Sequence, residues 1–131
     1  MEKKYNNPAP VVIVRVQRNQ ELLLVKGLAP KKHYTCVAGY IEAGETAEQA
    51  CSREVLEETG IHINNIKYHS SQHWPHPNQL MLAFTAEYSS GIIQIDKSEL
   101  TDAKWFSSTS EMEMPRTDSV AYRMITEFFI K

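Results

Sequence analysis

The stretch from Glu45 to Thr59 constrains this chain more than any other. It holds no Gly or Pro, is rich in Ala, Glu, Gln and Leu, and runs into Gly60. These features predict a helix with a glycine stop. At about 100° per residue, Glu57 and Glu58 fall within roughly 60° on either side of Glu54, so three carboxylates share one face. Like charges at that spacing destabilise a helix. The same face carries Ala50 and Ala47 one and two turns earlier, and such small residues predict close approach by other chain. Crowded acids in a partly enclosed place need compensation, either by protonation or by a hard divalent cation that takes oxygen ligands. Arg53 is the one cation in the stretch. It cannot neutralise three acids, but its fork of donors suits the pinning of one glutamate.

The rest of the sequence is that of one ordinary domain spanning residues 1–131. Hydrophobic residues at 42% and charged residues at 23% exclude a disordered or low-complexity chain. A net charge of −2 provides no global positive field for extended nucleic acid, so a polyanionic partner must be met locally. Cys36 and Cys51 form no Cys-x-x-Cys pair, which excludes a zinc ribbon and a disulfide framework within this sequence. Two scattered thiols fit a reducing compartment. The polar start Met1 to Asn7 is unlike a signal peptide, and apolar runs such as Val11 to Val14 are far too short to span a bilayer. A cytoplasmic protein with no membrane partner is expected.

Strands are predicted at Val11 to Val16, Glu21 to Lys26, Tyr34 to Ala38, Ile61 to Tyr68, Leu80 to Tyr88, Ile92 to Ile95 and Asp102 to Phe106. Pro75 and Pro77 predict a loop over Ser71 to Asn78. Thr117 or Asp118 is expected to cap a last helix whose Val120, Met124, Ile125, Phe128 and Phe129 share one face.

A bare Glu-x-x-Glu-Glu also describes a solvated helix face. The longer pattern carries more. Gly39-Tyr40-Ile41-Glu42-Ala43-Gly44-Glu45 is followed by Arg53-Glu54-Val55-Leu56-Glu57-Glu58-Thr59-Gly60-Ile61, spanning 23 residues. This segment resembles a complete Nudix box, the signature of hydrolases that cleave a nucleoside diphosphate linked to another moiety. The resemblance implies an α/β/α sandwich with a mixed β-sheet and a loop–helix–loop catalytic motif. It also implies Mg²⁺ or Mn²⁺ held by Glu54, Glu57, Glu58 and the carbonyl of Ala38. Glu45 and Arg53 take supporting roles, with Arg53 counted among the catalytic residues. Diphosphate hydrolysis needs charge relief on oxygen and an activated water, which divalent cations supply. A further carboxylate accepts the proton; Glu57 and Glu99 are the candidates.

A second segment bears on the substrate. In Ser71-Gln72-His73-Trp74-Pro75-His76-Pro77-Asn78-Gln79, two prolines hold an aromatic side chain in an extended, pre-ordered loop. The Trp74 and His76 rings suit stacking on a nucleobase or nicotinamide; packing of Trp74 onto the core is the other reading. The segment resembles the Ser-Gln-Pro-Trp-Pro-Phe-Pro loop of NADH pyrophosphatases within the Nudix hydrolases. The similarity continues through Ala86-Glu87-Tyr88, Glu99-Leu100 and Trp105 to the last helix. By that resemblance Gln72, His73, Trp74, Pro75, His76, Pro77, Asn78 and Gln79 contact substrate, partly across a homodimer interface. Tyr5, Tyr40 and Ala121 line the nucleotide site, and Glu99 adds a metal ligand. His73 replaces the first Pro of that loop and His76 the Phe, a smaller ring. The N-terminal domain and zinc ribbon of typical NADH pyrophosphatases have no counterpart in this sequence.

The expected activity is metal-dependent hydrolysis of NADH or a related dinucleotide to mononucleotides. ADP-ribose, another nucleoside diphosphate derivative and a nucleoside triphosphate are alternatives, and a non-catalytic nucleotide-binding module is another. An NAD-capped RNA end is conceivable as a partner by the same resemblance. Lys31, Lys32 and His33 either steer a diphosphate or form a solvated loop.

Overall fold

The computed structural model describes residues 7–110 and 112–130. Nine elements follow in order among them: β1 (Ala9–Arg18), β2 (Glu21–Gly27), β3 (Tyr34–Thr35), β4 (Val37–Tyr40), α1 (Ala47–Thr59), β5 (His62–Trp74), β6 (Gln79–Ser90), β7 (Leu100–Phe106) and α2 (Val120–Phe129). The β-branched run of β1 lies at the centre of the sheet. β6 lies parallel along one edge of it, from Ala9 opposite Gln79 to Gln17 opposite Glu87. Its other edge is shared. Val16 to Arg18 pair with β2 across a tight turn that holds Asn19 at φ 55°, and Val11 to Val14 pair with β4.

This shared edge positions the site. β1 and β2 pair only near their turn and then diverge. The segment Tyr34 to Tyr40 fills the gap, with β3 on Val25 and Lys26 of β2 and β4 on β1. The single strand predicted there is therefore two, separated at Cys36. β7 covers the far edge of β2, and β5 lies outside β6. One parallel pair among antiparallel ones makes the sheet mixed.

Both faces of the sheet are covered, which is why the central strands read as near-continuous apolar runs instead of alternating ones. Val12, Val14, Val16, Leu23 and Val25 pack with Ala50, Cys51 and Val55 of α1 on one face. Ile13, Leu22 and Leu24 pack with Val120, Met124, Ile125 and Phe128 of α2 on the other. The two-residue period of the strands divides a single apolar run between two helices. The result is the α/β/α layering that the resemblance implies. No helix among the described residues is long and apolar enough to cross a membrane.

The structure corrects several boundaries. α1 begins at Ala47, behind a capping box in which Thr46 Oγ accepts from Gln49 N–H at 3.1 Å and Gln49 Oε1 accepts from Thr46 N–H at 2.8 Å. Gly60 ends the helix in the left-handed region, as predicted, at φ 76°. Ser119 caps α2 in place of Thr117 or Asp118, its side chain accepting from Tyr122 N–H. The predicted 71–78 loop is mostly strand: β5 continues to Trp74, paired with β6 as far as Gln79, and only 75–78 turn. Residues 92–95 form no strand. Gln94 N–H and Asp96 N–H instead donate to the carbonyls of Thr59 and Glu58 at 2.8 and 3.0 Å, using acceptors that the end of α1 leaves open.

Ile125 is fully buried against the second face. Ile125→Ala is expected to lower unfolding free energy by about 2–5 kcal/mol, read from denaturant melts. A loss below about 1 kcal/mol would contradict the packing of α2 described here.

Candidate active site

The carboxylate face of α1 looks across at the end of β4. At Gly39 the two elements come so close that a Cβ would overlap the Glu54 carboxylate. This contact explains the first glycine of the motif in steric terms. Ala50, predicted to be closely approached, is fully buried. The cleft so formed has a volume of about 410 Å³ and is lined by Ala38, Gly39, Tyr40, Glu42, Arg53, Glu54, Glu57, Glu58, Asp96 and Glu99. It therefore gathers Ala38, Tyr40, Arg53, Glu54, Glu57, Glu58 and Glu99, all expected from the sequence. Tyr5 lies outside the described residues.

Arg53 organises the acids. Its Nε and one terminal nitrogen donate to the two oxygens of Glu45 at 2.7 and 2.9 Å, a bidentate fork. The same terminal nitrogen reaches the carbonyl of Tyr40 at 2.9 Å, tying α1 to the end of β4. The other terminal nitrogen donates to Glu54 at 2.7 Å and Glu57 at 3.2 Å. The predicted pinning of one glutamate thus falls on Glu45, ahead of the trio. Its hydrogen bonds from Arg53, and next the one from Glu42 N–H, hold the Glu45 carboxyl down at about 2. The Glu45 fork raises the Arg53 pKa, so the guanidinium stays charged.

Glu58 is the opposite case. It is buried at 8% exposure, and among the described residues its Oε2 has no hydrogen-bond partner. Burial raises its pKa first; the Glu54 carboxylate beside it, and then Glu99 and Asp96, raise it further. Among the described residues, six acids and one cation line the cleft. Among the described residues no three acidic, His or Cys side chains are drawn into a ready-made metal cage, since Arg53 holds Glu54 and Glu57. The donor set nevertheless suits a hard divalent cation: carboxylate oxygens in excess, one of them buried and unpaired.

Asp96 was not singled out from the sequence. It reaches the cleft because residues 92–96 follow the end of α1. Its carboxylate accepts from Ser98 N–H at 2.9 Å and Ser98 Oγ at 2.6 Å, which lowers its pKa. The turn so fixed brings Glu99 alongside. The Asp96-Lys97-Ser98 pattern is a turn signal that could have been read.

A second cavity of about 390 Å³ adjoins the first at Ala38. Trp74, Pro77, Gln79 and Ala121 line it with Ile13, Met81, Lys31, His33 and Arg116. Trp74 is half-buried, and Arg116 lies over its ring at 5.3 Å while forking onto Asp118. The strand alternation of β5 puts Gln72 on the face of Trp74 and His73 on the opposite one. Gln72 is turned to α2, where its amide donates to the Asp118 carbonyl at 2.8 Å and accepts from Val120 N–H at 2.7 Å. His73 is paired with Asn78 at 2.6 Å. Pro75 and His76 are exposed and line neither cavity. Gln79 Nε2 donates to the Tyr40 hydroxyl at 3.0 Å, linking the two cavities. Cys36 and Cys51 are buried, and burial pushes their thiols up to about 12, away from the reactive thiolate form.

Known proteins resemble this chain in sequence and in fold. Residues 6–128 match the family model described as NUDIX domain. The chain is 43% identical over 127 residues to the NAD-capped RNA hydrolase NudC of Pectobacterium carotovorum subsp. carotovorum, covering 96% of this chain and 49% of that protein. It is 45% identical, with the same coverage, to the NAD-capped RNA hydrolase NudC of Yersinia enterocolitica. It spans about half the length of the curated relatives it matches. Among solved structures, a NUDIX hydrolase from Nitrosomonas europaea superposes with TM-score 0.74 at 25% identity, over 95% of this chain and 69% of that one. A NUDIX-family hydrolase from Clostridium perfringens superposes with TM-score 0.75 at 19% identity, over 94% and 97%. A domain match across almost the whole chain, an intact acidic motif and the shared fold lead to one conclusion: the chain belongs to the Nudix hydrolase family.

Proposed function

We propose that this Nudix domain is a metal-dependent pyrophosphatase that hydrolyses the diphosphate linkage of NADH or a related dinucleotide. The observation that carries the reading is the meeting, at Ala38, of an acid-lined cleft with a cavity that holds Trp74. A dinucleotide needs both: a place for charged phosphates and, one nucleoside away, a place for a flat ring. The relatives named as NAD-capped RNA hydrolases support a nicotinamide dinucleotide as the recognised group. An NAD-capped RNA end, with the RNA body outside the site, fits the same reading.

Nudix hydrolases generally use divalent metal ions. We assign Mg²⁺ or Mn²⁺ here, to be held by Glu54, Glu57, Glu58, Glu99 and the Ala38 carbonyl. When bound, such a cation relieves charge on the diphosphate oxygens and acidifies water. The remaining work falls to the chain. Arg53 orients Glu54 and Glu57. Glu57, exposed at the cleft mouth, or Glu99 takes the proton of the attacking water. Water oxygen bonds to one phosphorus, the bridging oxygen leaves with the other, and NADH yields NMNH and AMP. The Trp74 cavity, with Pro77, Gln79 and Ala121, orients the ring. Contacts from Tyr5, Tyr40, His73, Pro75, His76 and Asn78, and from Gln72 through α2, belong to the same proposal. A homodimer is part of it too, supported by the position of β5 at the end of the sheet. The setting is cytoplasmic, in keeping with two unpaired thiols.

ADP-ribose and other nucleoside diphosphate derivatives share the required diphosphate, and product analysis separates them. NADH is expected to give NMNH and AMP, whereas a nucleoside triphosphate would release pyrophosphate. Glu57→Gln and Glu58→Gln are each expected to lower NADH turnover at least about 100-fold with the fold retained. Turnover left intact in both variants would end the reading.

Burial also gives a pH test. A carboxyl whose pKa is raised by folding stabilises the fold fully below its unfolded pKa of about 4.3, and loses that stabilisation as pH rises through the raised value. The chelated protein is therefore expected to melt lower as pH rises above neutrality, with Mg²⁺ or Mn²⁺ restoring the loss. Glu58→Gln is expected to flatten this slope and raise the metal-free melting temperature at pH 9 by roughly 4 °C, equivalent to about 1 kcal/mol. A melting temperature indifferent to both pH and Glu58→Gln would refute the assignment of buried charge.

A further inference from the structure

The Lys31 to His33 loop is left unexplained by the carboxylate chemistry, yet it borders the site. Lys31 and His33 line the Trp74 cavity, and both also line a smaller cavity of about 190 Å³ together with Glu58 and Glu99. Ala38 borders all three spaces. The Lys31 and His33 side chains thus stand at the seam where the acidic cleft passes into the ring-binding cavity. Lys32, between them in sequence, lines none of these spaces.

The loop is built rather than loose. Lys31 N–H donates to the Leu28 carbonyl at 3.1 Å, and Tyr34 N–H donates to the Glu113 carbonyl at 2.9 Å, closing the loop at both ends. The stem of Lys31 lies on Gly27, where a Cβ would stand 2.8 Å from Lys31 Cδ. The arginines of the two main cavities are committed: Arg53 to Glu45, Glu54 and Glu57, and Arg116 to Asp118. Among the described residues, neither Lys31 nor His33 is in an ion pair.

We propose that Lys31 and His33 form a phosphate subsite at this seam, which holds the phosphate of the departing mononucleotide. The inference rests on the diphosphate-hydrolase reading above and deepens it. With one phosphorus over the acids and a ring against Trp74, the second phosphorus must cross the seam. Six acids repel that phosphate from the cleft side. A lysine ammonium and a histidine ring nitrogen supply donors on the other side. As the bridging P–O bond breaks, its electron pair stays on the departing phosphate, beside the Lys31 charge. The water proton goes to the carboxylate base, so no further reactant is needed. The ligand class is a nucleoside monophosphate or the corresponding half of a dinucleotide.

The test compares binding of AMP with adenosine, and of NMN with nicotinamide riboside, by calorimetry on the full chain in EDTA. Chelation removes any metal contribution to phosphate binding. The wild type is expected to favour nucleotide over nucleoside. Lys31→Ala is expected to cut that preference about tenfold, as for loss of one charge-assisted phosphate contact, while Lys31→Arg keeps most of it. Lys32→Ala, the same change of charge one residue on, is expected to leave the ratio unaltered. Lys31→Gln repeats the measurement should the alanine variant fold poorly. A wild type that binds nucleotide and nucleoside alike would overturn the proposal. So would a preference that survives in both Lys31→Ala and Lys31→Gln. A change in Mg²⁺ affinity with an unaltered ratio would make Lys31 a counter-ion for Glu58 and Glu99 instead. Failure of the wild type to hydrolyse any dinucleotide with Mg²⁺ or Mn²⁺ is a separate result, and it would remove the reading beneath.

Discussion

One guanidinium holds the acids of this molecule in order. Arg53 distributes its donors over both oxygens of Glu45, one of Glu54, one of Glu57 and the carbonyl of Tyr40. A bidentate pair at this geometry is directional as well as strong. It fixes the loop ahead of α1, the helix itself and the end of β4 relative to one another. It also leaves the charge account open. Six acids around one cation, with one carboxylate oxygen buried and unpaired, is an arrangement that calls for a proton or a metal ion. Stability and chemistry are therefore in tension at Glu58, where the neutral form suits the metal-free fold and the ionised form suits cation binding.

The sheet supplies the second constraint. β1 and β2 separate beyond their shared turn, and the chain returns between them as β3 and β4. That insertion puts Ala38 where three cavities meet and Gly39 against Glu54. Acids gather on the α1 side. Lys31, His33 and Arg116 stand on the other, near the start of α2. A chain with a net charge of only −2 thus gathers its acids in one cleft and sets Lys31 and Arg116 in the cavity beside it.

Much of the acidic site was legible in the residues. The helical spacing of Glu54, Glu57 and Glu58 follows from the geometry of any α-helix, and the small Ala50 foretold a close neighbour. Other features were not. Residues 92–95 read as strand by composition, but their N–H groups found acceptors at the end of α1, a choice that depends on tertiary placement. Asp96 entered the cleft with them. The segment around Trp74 read as loop because of its prolines, yet pairing with β6 extends β5 to Trp74 and confines the turn to four residues. Strand alternation then sent Gln72 to clip α2 and His73 to Asn78.

The sequence by itself determined the reaction class it resembles, the helix that carries the acids, its glycine stop and the two-faced apolar strands. These depend on local periodicity and backbone freedom, which neighbours in the chain dictate. Only the tertiary structure decided which acid Arg53 forks, which carboxylate is buried, that Asp96 joins the cleft, and that Lys31 and His33 stand at the seam. Such outcomes depend on distances between residues far apart in the chain. Desolvation and charge act through space, and no spacing along the sequence encodes them.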